Sequence, residues 1–238
     1  MDLGYSGQVV LVVGGTGLIG SHVAEALLAE GATVVAAARD GARLADLGER
    51  LGVATQTVDT TDDATVERLV EAVLTEHGRI DALVVTAAPS ARTLDPSRDR
   101  DPAQIGSAVE TKSLGFLRVT EAVAPHMVAA GHGRIVGLSG QNARSTASVT
   151  GAVRNVVLIT IAKALADAYA GTGVGINVVN PGVVRADAST EAPAPATAGE
   201  STPEQVASLV VYLASTAAAG VSGESIAVGH KLAGVAGA

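Results

Sequence analysis

The 238-residue sequence predicts a single α/β domain built on a doubly wound parallel sheet of about seven strands, with helices on both faces. Three observations carry this. Strand and helix signals alternate from end to end. The first strand run is continuously apolar, as a strand covered on both faces requires. The spacing between successive strands suits right-handed helical crossovers.

In order, Val9 to Val13 is an unbroken apolar run, Leu18 to Glu30 reads as a helix and Thr33 to Ala38 as a second strand. Arg43 to Leu51 is a short helix, and Ala54 to Val58 an edge strand. Thr61 or Asp62 can cap the next helix, whose Val66, Leu69, Val70, Val73 and Leu74 share one face. Ala82 to Val85 is a buried strand, followed by a long helical region from Ile105 to Ala130. Ile135 to Leu138 is the fifth strand, Gly151 to Ala170 a helix and Ile176 to Val179 the sixth strand. Thr202, Pro203 and Gln205 form the capped start of a last helix with Val206, Leu209, Val210 and Leu213 on its apolar face. Ser225 to Val228 ends the pattern. The segment from Asp187 to Ser201, rich in Ala, Pro, Thr, Ser and Glu, is expected to be a mobile substrate-side loop within one domain spanning 1–238.

Composition narrows the function. Aromatic residues are only 2% of the chain, so Ala, Val, Leu and Ile must build the core. A net charge of −8 without a basic run argues against a nucleic-acid partner. The absence of cysteine removes disulfides, thiol catalysis and cysteine-bound metals. His22, His77, His126, His132 and His230 lack metal-ligand spacing, so no metal site is expected. No signal core or membrane-length apolar run is evident, which predicts a cytoplasmic protein with no membrane partner.

Gly14-Gly15-Thr16-Gly17-Leu18-Ile19-Gly20 lies between the first strand and the first helix. Glycines there let the backbone turn and approach a pyrophosphate, and the helix start offers N–H donors and a positive dipole. Gly14, Thr16, Gly17, Leu18, Ile19 and Gly20 are therefore candidate cofactor contacts of a Rossmann-type domain. The second strand ends Ala38-Arg39-Asp40. With alanine at its tip and Arg39 next, a 2′-phosphate is favoured, so NADP is expected and NAD is the alternative.

These segments resemble the short-chain dehydrogenase/reductase family over nearly the whole chain, the glycine motif being like that of its longer, extended members. Asp59-Thr60-Thr61-Asp62 is similar to the acidic segment after the third strand, whose first Asp meets the adenine in the family. Arg134-Ile135-Val136-Gly137-Leu138-Ser139-Gly140 resembles the fifth strand with its catalytic serine. Ile176-Asn177-Val178-Val179-Asn180-Pro181-Gly182 resembles the Pro-Gly segment that borders the nicotinamide, and Thr202 to Ala207 with Ser222-Gly223 match the C-terminal pattern. The resemblance implies cofactor contacts at Asp59, Thr60, Ala87, Pro181 and Gly182. It also implies a small-molecule substrate and a homodimer or homotetramer, to which the tail from Gly229 to Ala238 could contribute.

The departures bear on chemistry. The family's Asn-Asn-Ala-Gly reads Val85-Thr86-Ala87-Ala88, its catalytic asparagine falls on Lys112, and its serine on Gly140 with Ser139 just before. The Tyr-x-x-x-Lys helix reads Gly151-Ala152-Val153-Arg154-Asn155, and Ala186 replaces a threonine after Pro-Gly. No tyrosine lies between Tyr5 and Tyr169, and Tyr169 and Tyr212 read as packing residues. A substitute proton donor is then needed. Lys112 is the leading candidate, its alternative being a helix-packing lysine. Ser139 is expected to hold a substrate oxygen, or else to bond the backbone, and Asn155 to orient Lys112 or a ribose. Gln141, Asn142 and Arg144 either line the pocket or are ordinary loop residues. The leading function is an NADP-dependent carbonyl or alcohol oxidoreductase with a non-standard catalytic set. The alternatives are a non-redox cyclase, isomerase or lyase on this scaffold, and a catalytically silent dinucleotide-binding protein.

Overall fold

A computed structural model describes residues 2–89, 93–144, 147–195 and 197–231. The strands are β1 (Val9–Val13), β2 (Thr33–Ala38), β3 (Ala54–Thr57), β4 (Ala82–Val85), β5 (Gly133–Leu138), β6 (Val174–Pro181), β7 (Val183–Val184), β8 (Glu200–Ser201) and β9 (Ser225–Val228). The helices are α1 (Leu18–Ala29), α2 (Gly41–Leu51), α3 (Asp63–His77), α4 (Pro102–Val109), α5 (Gly115–Ala130), α6 (Val149–Ala168) and α7 (Pro203–Leu213). Seven strands form one parallel sheet in the order β3-β2-β1-β4-β5-β6-β9. The order reverses between β1 and β4, which opens a crevice at their C-terminal ends.

Alternation along β1 explains both layers. Val9, Leu11 and Val13 join a core with α3, α5 and α6, whereas Val10 and Val12 join one with α1 and α7. Leu44 and Leu47 of α2 cover Ala36 and Ala38 of β2. Each large aliphatic side chain buried this way contributes about 1.5–3 kcal/mol. Asp62, one of the two expected caps, accepts from the Ala64 N–H at the start of α3. Thr202 and Gln205 form the expected reciprocal capping box on α7.

Two expectations, on the long helix and on membrane-length runs, need correction. The long helix expected over 105–130 begins at Pro102 and is broken by a π turn over Glu110–Leu114. The segment from Asp187 to Ser201 is anchored at its end: β8 pairs in parallel with β7, and Glu200 bonds Arg185 and the Ser189 N–H. Contrary to the expectation that no run is membrane-length, α6 is long and apolar enough to cross a bilayer. Its Leu158, Ala162 and Ala166 lie in the core, which accounts for the composition. Of the tail from Gly229 to Ala238, only Gly229 to Lys231 lies within the described residues.

Candidate active site

The loop after β1 is built around glycine. Gly14 has φ +92°, and a Cβ there would lie 2.5 Å from the Ala87 nitrogen and the Thr86 Oγ1. A side chain on Gly20 would collide with the Gly14 carbonyl. This close packing sets the start of α1 against the loop after β4. Helix α1 has no side-chain cap, so its first N–H groups face the crevice unused by the helix.

The crevice is a groove of about 550 Å³. Of the expected cofactor residues, Gly14, Thr16, Gly17, Arg39, Asp59, Thr60 and Ala87 line it. Leu18, Ile19 and Gly20 follow at the start of α1, with the Leu18 side chain exposed. Pro181 ends β6, away from the groove lining, and Gly182 packs against Gly199. Asp59 Oδ1 accepts from the Thr61 N–H and hydroxyl, and these bonds hold its carboxyl below the usual range.

Arg43, not anticipated from the sequence, also lines the groove and donates to the Thr16 carbonyl at 2.5 Å. Asp40 is occupied as the α2 cap, accepting from the Ala42 and Arg43 N–H groups at 3.1 Å. The tip of β2 thus offers two guanidinium groups while its carboxylate faces the helix. Arg39 forms no ion pair among the described residues. A sequence signal for Arg43 existed: a cation in a helix's first turn opposes the macrodipole and needs another reason to be there.

The π turn inserts Lys112 and Ser113 inward, while Thr111 lines the groove. Lys112 Nζ, fully buried, donates to the Ser139 carbonyl at 3.0 Å. Burial, reinforced by the Arg154 charge, brings Lys112 down to about 7. The Ser139 hydroxyl donates to the Asn155 carbonyl at 2.9 Å. Lys112, Ser139 and Asn155 are therefore brought together, and the Ser139 hydroxyl takes the backbone bond expected as the alternative to holding a substrate oxygen. The Asn155 side-chain oxygen is buried and has no hydrogen-bond partner.

Asp99 fixes the start of α6 by accepting from Ser148 Oγ at 2.6 Å and the Val149 N–H at 2.7 Å. Further along α6, Asn155 sits against Ser139 and Gly140 after β5, while Gly151 packs on Ser148 and Asn142. Gln141 is also committed internally, donating to the Val228 and His230 carbonyls. Asn142 is exposed, and the Arg144 side chain lies outside the described residues. Tyr169 donates to Glu121, and Tyr212 packs beside the α1–α7 core. Arg154 was missed by sequence reasoning. It is buried and donates from Nη1 to the Pro89 carbonyl at 3.2 Å, at the rim of the groove. Its signal was an arginine in an otherwise uncharged stretch of α6.

The arrangement fits a dinucleotide in three respects. An uncapped helix start faces the crevice behind a glycine turn, two arginines flank the β2 tip, and an orphaned buried acceptor on Asn155 suits a hydroxyl donor such as a ribose.

A family model described as Enoyl-(Acyl carrier protein) reductase matches residues 16–230. The chain is 28% identical to 3-oxoacyl-[acyl-carrier-protein] reductase FabG of Escherichia coli, over 95% of this chain and 97% of that protein. It is 30% identical to D-threitol dehydrogenase of Mycolicibacterium smegmatis, over 95% of this chain and 93% of the relative. A solved short-chain type dehydrogenase/reductase from Mycobacterium ulcerans superposes with a TM-score of 0.79 at 27% identity, covering 94% of this chain and 89% of the other.

Proposed function

Because the chain belongs to the short-chain dehydrogenase/reductase family of oxidoreductases, we propose that it interconverts a small carbonyl compound and its alcohol with NADP, using Lys112 in place of the missing tyrosine. The observation that supports the reading is the groove lined by Gly14, Gly17, Arg39 and Arg43, with Thr111, the neighbour of buried Lys112, also on its wall.

Bound NADPH supplies the hydride. The α1 N-terminus would hold the pyrophosphate, Arg39 and Arg43 would hold the extra phosphate, and Asn155 Oδ1 would accept from a ribose hydroxyl. Lys112 Nζ moves the proton, giving it to the oxygen of the reduced carbonyl and retaking it in the reverse direction. One of its three N–H groups is engaged by the Ser139 carbonyl, which holds the amine in place. The exposed Val149 and Val156 on α6 support self-association as a dimer or tetramer. The inward Ser139 hydroxyl is the observation that favours the second reading, a non-redox or silent pocket.

The test is a titration of the purified protein with NADPH and NADH, followed by nicotinamide fluorescence, with a carbonyl screen on wild type and Lys112→Met. NADPH should bind more tightly. Lys112→Met should retain binding while turnover falls about a hundred- to ten-thousandfold. Binding of neither dinucleotide would overturn the oxidoreductase reading, and wild-type turnover in Lys112→Met would remove Lys112 from the mechanism.

A further inference from the structure

Arg154 and Lys112 form an unusual pair. Both side chains are at least nine-tenths buried, with relative exposures of 5% and 6%. They belong to elements that pack directly: Ser113, next to Lys112, donates from Oγ to the Arg154 carbonyl at 2.6 Å. Arg154 Nη1 reaches the Pro89 carbonyl, and its Nε has no partner. Two buried cations normally bring a carboxylate with them, because an unpaired buried charge costs several kcal/mol.

Among the described residues, the acids on the elements packed around this pair are committed elsewhere. On the π turn, Glu110 pairs with Arg118, which also binds Asp63 of α3. Before α6, Asp99 is held by Ser148, Val149 and Thr150. On α5, Glu121 accepts from Tyr169, and ahead of α4, Asp101 accepts from Ala103 and Arg98. Strand β5 presents Arg134 at its opposite end and no acid. Among the described residues, Arg154 is thus a buried charge on the element packed against the Lys112 turn that has no carboxylate partner.

Resting on the reading of Lys112 as the proton-transfer group, we propose that Arg154 is a positioning residue that opposes charge on the neighbouring Nζ and so keeps Lys112 able to release and retake a proton. Burial alone disfavours the ammonium, and the guanidinium acts in the same direction. The direct bond from Nζ to the Ser139 carbonyl fixes the amine on the side of its turn that packs against α6, through Ser139 and Ser113. Arg154 does not contact the reacting atoms; it acts through Lys112.

The chain contains only three lysines, Lys112, Lys163 and Lys231, so the amine can be observed directly. Lysine labelled with carbon-13 at Cε would be followed by NMR across a pH titration of the full chain, with Lys112→Met identifying the resonance. The Lys112 signal should titrate near neutrality, well below the other two. In Arg154→Met its midpoint should rise by about one unit, and in Arg154→Lys, which keeps the charge, it should stay low. The alkaline limb of the pH profile of kcat/KM for NADPH oxidation, where the donor loses its proton, should move with it. Arg154→Gln, which can still reach Pro89, carries the same measurement if Arg154→Met does not fold. A Lys112 signal titrating with the other lysines, or an unchanged midpoint in both neutral variants, overturns the proposal. Failure of NADPH oxidation would instead overturn the proposed function, and the NMR midpoints would still decide the role of Arg154.

Discussion

Arg39 and Arg43 reach one groove by different routes. Arg39 follows the tip of β2 directly, so its position could be read from the chain. Arg43 lies in the first turn of α2 and reaches back across the crevice to the Thr16 carbonyl, a contact that depends on how α2 packs. Lys112 was legible as a candidate because it stands at a position the resemblance marks, and Ser139 because it stands next to one. The direction of the Ser139 hydroxyl was not legible, since it is set by a carbonyl on α6. If the two arginines share a 2′-phosphate, each should matter to NADPH and little to NADH. Arg39→Ala and Arg43→Ala should each weaken NADPH binding about tenfold or more, corresponding to about 1.4 kcal/mol, and leave NADH within about twofold. Equal losses for both cofactors in a fluorescence titration would assign the arginines to the general positive potential of the groove.

At the scale of elements, all seven strands of the main sheet were visible in the chain, the central ones as apolar runs and the edge strand β3, Ala-Thr-Gln-Thr, by its place in the alternation of strands and helices. The π turn escaped because one extra residue within a helix hardly alters its periodicity. Strands β7 and β8, two residues each, are too short to show alternation. Another device lies at the opposite end of the sheet from the groove. Asp81, just before β4, accepts from the Val9 N–H at 2.8 Å, from Arg79 and from His132 at 2.6 Å. This carboxylate joins the starts of β1 and β4, the strands whose separation opens the crevice. Burial would raise the Asp81 carboxyl, but the hydrogen bonds from Arg79, Val9 and His132 outweigh it and lower its pKa. A group lowered in the folded state adds stability above its unfolded value, near 4, and loses it as pH falls through the folded value. Asp81→Asn should therefore cost about 2 kcal/mol at pH 7 in urea unfolding. The difference from wild type should shrink below about pH 4. A constant difference across that range would show that the carboxylate charge is not what joins the strands.

For the whole molecule, the reversal of strand order gathers the loops after β1, β2, β3 and β4 around one groove. A ligand held there bridges parts of the sheet that are far apart in the chain, so its binding energy stabilises the folded state as a unit. The bound form gains RT ln(1 + [L]/Kd), about 2.7 kcal/mol at a hundredfold excess over Kd. A chain of this length gains about 2–4 °C in Tm per kcal/mol, so NADPH at that excess should raise Tm by about 5–10 °C. NADH at the same concentration should raise it less, because it lacks the phosphate that Arg39 and Arg43 would hold. Lys112→Met should retain the NADPH shift, since it leaves the glycine turn and both arginines intact. Thermal unfolding followed by far-UV circular dichroism checks all three expectations. The same small shift for both dinucleotides would separate the fold, which the family membership secures, from the NADP preference, which would then have no support in binding.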